Sequence, residues 1–162
     1  MAWLISDANI IIDMESGGIL DKMFRLPETF AVPNVLYIEE LEEHHSYLPG
    51  LGLMVLDVRA EYVAEAYRLG DVYKRPSHND LLALALAKQE RCPLLTGDAR
   101  LREAAEKEQV DVRGSLWVVE RLFSENIIDF HGVNDAYEKM RSDSRRLPWD
   151  DVKLQLKMMK TK

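Results

Sequence analysis

Acidic side chains fall at four places in the sequence where a short apolar run gives way to a helical pattern. Asp7 follows the run Trp3 to Ser6, and Asp98 follows Leu94, Leu95, Thr96 and Gly97. Glu39 and Glu40 lie in the helical stretch after Thr29 to Val32, and Asp80 lies in the first turn of a leucine-rich helical stretch. Carboxylates gathered within a few ångströms repel one another unless protons or a cation intervene. Oxygen ligands suit hard divalent cations such as Mg²⁺ or Mn²⁺, which usually keep several waters beside one or two carboxylates. The chemistry such a site supports is metal-assisted hydrolysis, often of phosphate esters. Any one of these acids alone reads as a solvated charge or a helix cap, and Asp80 also suits the dipole of its helix. Their joint placement is the signal.

That placement depends on the elements around them. Short apolar runs at Trp3 to Ser6, Thr29 to Val32, Met54 to Val58, Pro93 to Thr96 and Val110 to Val112 alternate with longer segments of helical period. The helical segments are Ile10 to Leu26 (broken at Gly17 and Gly18), Asn34 to His45, Arg59 to Leu69, His78 to Arg91 and Arg100 to Glu108. Alternation of this kind predicts an α/β domain with a central parallel sheet of four to five strands. In an open parallel sheet, ligands sit beyond the carboxyl ends of the strands, where Asp7 and Asp98 fall. Ser77, three residues before Asp80, predicts an N-terminal capping arrangement ahead of Leu81, Leu82, Leu84 and Leu86. Beyond Gly114 the pattern is helical from Ser115 to Phe123 and from Val133 to Met140. Pro148 then interrupts, and Trp149 to Lys160 reads as a last amphipathic helix.

The four acidic segments, taken in order, resemble the PIN-domain family of metal-dependent ribonucleases, which includes the VapC-type toxins of bacterial toxin–antitoxin pairs. LISDANIIIDME is similar to the family's first strand and helix, with Asp7 as its acid. VPNVLYIEEL resembles the second motif, whose acid precedes a leucine and so corresponds to Glu40. Glu39 is adjacent, and a slip of one residue turns a helical side chain by about 100°. SHNDLLALALA resembles the third motif, with Asp80, and PLLTGDARLREAA the fourth, with Thr96 as the polar residue and Asp98 as the acid. VDVRGSLWVVERL is similar to the family's last strand and return helix.

The resemblance implies a three-layer α/β/α fold over residues 1–140, followed by a basic helical tail at 141–162. It implies a catalytic pocket in which Asp7, Glu40, Asp80 and Asp98 anchor Mg²⁺ or Mn²⁺, with Thr96 holding a carboxylate or water from behind. The implied activity is endoribonuclease cleavage of RNA, with an antitoxin protein as partner and a homodimer as the assembly. An apolar helix face from Ile10 to Ile12 with Ile19, Leu20 and Met23 is either that dimer face or ordinary core. Asn9 either points into the pocket or caps the following helix, and capping is the expected role.

Other readings fit less well. A haloacid-dehalogenase-type phosphatase also opens on a strand ending in aspartate, but its second acid would here be Asn9. A non-catalytic PIN-like scaffold would be expected to have lost an acid, and all four are present. His44 and His45 are adjacent and read as a solvated face, and His78 and His131 have no motif partner.

At 162 residues and 18.7 kDa, with 47% hydrophobic and 30% charged side chains, the chain is the size of one ordinary globular domain. The single Cys92 excludes an internal disulfide and a cysteine-rich zinc module. It reads as a small buried hydrophobe. No apolar run nears the roughly 18 residues of a membrane span, and the opening residues lack a basic leader, so a cytoplasmic protein without a membrane anchor is expected. Residues 1–138 carry 25 acidic and 13 basic side chains, while residues 139–162 carry 3 and 8. An acidic body does not attract nucleic acid by bulk charge, so an RNA strand must be guided locally, by Lys74, Arg75, Arg100, Arg102 and Arg113.

Overall fold

The computed structural model describes residues 3–162. Five parallel strands, β1 (Trp3–Ser6), β2 (Thr29–Pro33), β3 (Met54–Leu56), β4 (Leu94–Leu95) and β5 (Val112–Arg113), form one sheet in the order β3-β2-β1-β4-β5. The strands are near-continuous apolar runs because helices cover both faces, as parallel sheets require. From β1 the chain builds outward through β2 to β3, then crosses back to lay β4 on the other side of β1. Strand order therefore reverses between β1 and β4, and a crevice opens at their carboxyl ends. Ile5 pairs with Leu94 and Ser6 with Leu95. The next residues in each strand direction, Asp7 and Thr96, are thereby brought level.

One helical layer is built on α7 (His78–Glu90), which packs on β1, β2 and β4 and carries α6 (Ala60–Val72) and α8 (Ala99–Lys107) against it. Every residue from Leu81 to Ala87 is buried. A helix apolar on all sides belongs inside the domain, which explains the longest apolar run of the sequence. Since α7 feeds β4, its first turn lies over the carboxyl edge of the sheet, and Asp80 with it.

The other layer holds α1 (Ala8–Ser16), α2 (Leu20–Met23), α9 (Ser115–Ser124) and α10 (Phe130–Ser142), with α11 (Trp149–Lys160) against α10. A Cβ on Gly17, at the end of α1, would meet Met140 Cε at 2.6 Å, so glycine there lets α1 approach α10 closely. Ile10, Ile11, Ile19, Leu20 and Met23 are buried in the shared core. These five are core residues, while Ile12 of the same expected face is half-buried.

Between β2 and β3 the chain runs through α3 (Asn34–Leu36), a π-helical turn (Tyr37–Leu41), α4 (Glu42–His45) and α5 (Leu48–Leu51). α5 has no counterpart among the expected elements, and Gly52 closes it at φ +125°. β3 stops at Leu56 instead of Val58. β5 begins at Val112 instead of Val110, because a tight turn with Gln109 at φ +63° delays it.

The segment 141–162 packs on the body of the domain. Val152 and Met159 are buried, Trp149 meets Tyr137 edge to face, and Gln155 Nε2 donates to the Leu116 carbonyl at 2.9 Å. Among the described residues no helix is long and apolar enough to cross a membrane.

Candidate functional site

Asp7 caps α1 from the end of β1 and is fully buried. Its Oδ1 accepts the Ile10 backbone N–H at 3.0 Å, and its Oδ2 accepts the Thr96 hydroxyl at 2.6 Å. Thr96, also fully buried, accepts in turn the Asp98 backbone N–H at 3.0 Å. One hydroxyl thus ties the ends of β1 and β4 together and fixes both acids. Burial pushes the Asp7 carboxyl up to about 7, and the negative charges of Asp80 and Asp13 add to the rise, against the lowering by Thr96 and Ile10.

Asp98 is half-buried and caps α8, its Oδ1 accepting the Arg100 N–H at 2.8 Å. Asp80 is half-buried and sits in a reciprocal capping box. The Ser77 hydroxyl accepts the Asp80 N–H, and the Asp80 carboxylate accepts the Ser77 N–H, each at 3.1 Å. Burial raises the Asp80 carboxyl and Asp98 raises it further, while Ser77 lowers it. Glu40 stands exposed at the rim. Its carboxyl is raised by partial desolvation and by the charges of Asp80 and Glu39, and lowered by the Asn79 amide.

Asp80 is therefore the hub, within electrostatic reach of Asp7 below, Asp98 beside it and Glu40 above. The geometry orders the acids by depth, from the buried floor at Asp7 to the open rim at Glu40. Glu39 and Glu40 both face this edge because they lie in the π-helical turn. Glu39 Oε2 accepts the Asn79 side-chain amide at 3.0 Å, on the neighbouring turn of α7. π-Helical turns of this kind concentrate at functional sites.

Charge pairing separates the buried and half-buried acids of this site, Asp7, Asp80 and Asp98, from those elsewhere in the domain. Asp13, Glu28, Glu65 and Glu108 are each engaged by an arginine or lysine, whereas Asp7, Glu40, Asp80 and Asp98 have no basic partner within ion-pair distance among the described residues. Among the described residues no three His, Cys, Asp or Glu side chains close round a single point as a metal cage. The donor set fits an open, partly hydrated Mg²⁺ or Mn²⁺, which needs only one or two carboxylates directly and reaches the others through water.

A family model described as a PIN domain matches residues 3–160. The chain belongs to the PIN-domain family. A solved structure, VapBC2 from Rickettsia felis bound to a DNA fragment from its promoter, is similar at 16% identity with a TM-score of 0.49, over 69% of this chain and 98% of that one. No curated protein matches the chain.

This PIN domain also holds a buried polar pair beside the crevice that sequence reasoning missed. Asp13, one and a half turns after Asp7 on α1, is buried; its Oδ2 accepts the Ser115 hydroxyl at 2.8 Å and its Oδ1 accepts Arg145 Nε at 2.6 Å. The signal was an acid inside the apolar run IIIDM, where a solvated charge does not belong. Arg145 also reaches toward the Asn9 carbonyl at 3.5 Å. Asn9 itself does not cap α1; Asp7 does. His45 departs from the expected solvated face, since it is largely buried with Nε2 2.7 Å from Glu15, while His44 is exposed. Cys92 is half-buried, and burial beside Glu90 raises its thiol to about 11, which leaves it inert.

Proposed function

We propose that this PIN domain is a metal-dependent endoribonuclease of the toxin type, with Asp7, Glu40, Asp80 and Asp98 holding Mg²⁺ or Mn²⁺ over the crevice between β1 and β4. The observation that carries this reading is the set of four neighbouring carboxylates without a basic partner, in a domain whose other buried acids are paired. Leaving a buried carboxylate unneutralised costs folding free energy, and a bound cation removes that cost.

A divalent ion held there supplies a water of lowered pKa and offsets charge on a phosphodiester. The chain supplies the frame. Thr96 and the Ile10 N–H hold the Asp7 carboxylate in one orientation, so its free lone pairs face the crevice. Ser77 and the Arg100 N–H orient Asp80 and Asp98 in the same way. Lys74, Arg75 and Arg100 line a concave surface beside the start of α8 with Lys107, which suits the backbone of an RNA strand crossing the crevice. A cytoplasmic setting, an antitoxin that covers the acidic pocket and a homodimer belong to the same reading, with the family's motifs as their support.

The test is cleavage of a panel of RNA and single-stranded DNA with Mg²⁺ or Mn²⁺, beside Asp7→Asn and Asp98→Asn. Metal-dependent RNA cleavage that both variants lose by at least 100-fold is expected. A folded protein that neither cleaves nor binds Mn²⁺ would refute it.

A further inference from the structure

A second concavity of about 480 Å³ lies on the other flank of Asp98, between the start of α8, the start of α9 and the segment leading into α11. Gly97 and Ala99, on either side of Asp98, form its edge toward the acidic crevice. Arg102, Gly114, Trp117, Arg146 and Asp151 line the rest. The volume is that of a small-ligand pocket.

Its lining carries both signs of charge, Arg102 and Arg146 against Asp13 and Asp151. Asp13, at its base, is already engaged by Arg145 and Ser115. Arg102 and Arg146 are exposed and make no ion pair among the described residues, even though the body of the domain is acidic. The Arg102 guanidinium lies beside the strand ends, where a Cβ on Gly114 would sit 3.3 Å from its Nη2 and 3.6 Å from the Thr96 carbonyl oxygen. A planar guanidinium with its donors free, one residue pair away from the buried Thr96–Asp7 contact, is built for a phosphate.

We propose that this cleft is the subsite for the nucleotide next to the cleaved bond, with Arg102 and Arg146 on its phosphate and its base against Trp117. Asp151, at the rim on α11, faces it as an acceptor for an exocyclic amino group. A base reaches such a recess only when it is out of a helical stack, so the cleft holds one unpaired nucleotide of the strand. The proposal rests on the nuclease reading and adds to that site a place for the neighbouring nucleotide.

The experiment measures binding of a fluorescent single-stranded RNA 12-mer by anisotropy in EDTA, where no cleavage occurs, together with kcat and KM in Mg²⁺ or Mn²⁺. The proteins are the wild type, Arg102→Gln, Arg146→Gln, the double variant, and Arg25→Gln as a control at the opposite edge of the sheet. The double variant is expected to bind at least tenfold more weakly and to raise KM more than it lowers kcat. Each arginine removed should reduce the slope of log K against log salt by about 1. The control should match the wild type, and a fully paired duplex of the same sequence should bind equally to wild type and double variant. RNA cleavage by the wild type with binding, KM and salt slope unchanged in the double variant would overturn the cleft proposal alone and leave the recess to a peptide partner. Absence of cleavage and of RNA binding in the wild type would overturn the nuclease reading, and this proposal with it.

Discussion

Asp7 shows how a single residue trades stability for a site. Its ordinary carboxyl value of 3.8 rises to about 7 on folding. Between these values the folded state holds a proton that the unfolded state has released, so this group's contribution to stability is lost as pH rises through that window. A shift of that size corresponds to at most about 4 kcal/mol by pH 8. Asp7→Asn keeps the shape, the acceptor for the Ile10 N–H and a polar partner for Thr96, but carries no charge. We therefore expect Asp7→Asn to melt several degrees above the wild type at pH 8 and close to it at pH 4.5, by differential scanning calorimetry. Adding Mg²⁺ at pH 8 should raise the melting temperature of the wild type and leave that of the variant unchanged, because a ligand of the folded state stabilises by mass action. A variant less stable than the wild type at pH 8 would mean that the Asp7 charge is compensated from within the chain. Asp7 and Thr96 were legible in the sequence because each ends an apolar strand run, and strand ends are where a parallel sheet places its ligands. The depth ordering of the acids was not legible, since it depends on which helix overhangs which strand.

Both candidates for the second acid sit on one element, the π-helical turn Tyr37–Leu41. An apolar pattern such as NVLYIEEL fits an α-helix and a π-helical turn equally, because one inserted residue hardly disturbs so short a repeat. The sequence therefore left Glu39 and Glu40 as competitors separated by about 100°. In the folded chain the π-helical turn places both at the crevice edge. Glu39 accepts the Asn79 amide, which also lowers the Glu40 carboxyl, while the charge of Asp80 raises it. Glu40→Gln is expected to lower kcat at least 100-fold with little change in melting temperature. Glu39→Gln should cost less than tenfold, since an amide still accepts from Asn79. Steady-state cleavage of one RNA substrate by both variants checks this, and the reverse order would move the site role to Glu39. The strands were located from the sequence to within two residues because their buried runs are bounded by turn residues, whereas α5 was hidden by Pro49 and Gly50, which read as loop.

At the scale of the whole molecule, charge asymmetry marks 141–162 as a basic tail, yet its contacts are those of an integral layer. Arg145 reaches 132 positions back to Asp13, a link that no local pattern can reveal because only the folded core brings the two together. Arg145→Ala would strand a carboxylate that is 7% exposed, and losing one partner of such a pair costs about 3 kcal/mol. The last helix adds a second, apolar tether through Val152, Met159 and the stacked group of Tyr137, Trp149 and Arg141, whose guanidinium lies 4.4 Å from the indole ring centre. Two buried aliphatic side chains and one half-buried tryptophan are worth several kcal/mol of transfer free energy together. A chain ending at Leu147 retains Arg145 and all four crevice acids but exposes the α10 surface that α11 covers. We expect it to unfold at least 5 °C below the full chain and to expose apolar surface to a dye such as ANS. It should also lose RNA affinity, since one wall of the Arg102–Arg146 cleft goes with α11. Equal melting temperatures would show that residues 148–162 are an appendage and that the folding unit ends at Leu147. If stability falls while RNA affinity holds, α11 serves the fold alone and the cleft ends at α9.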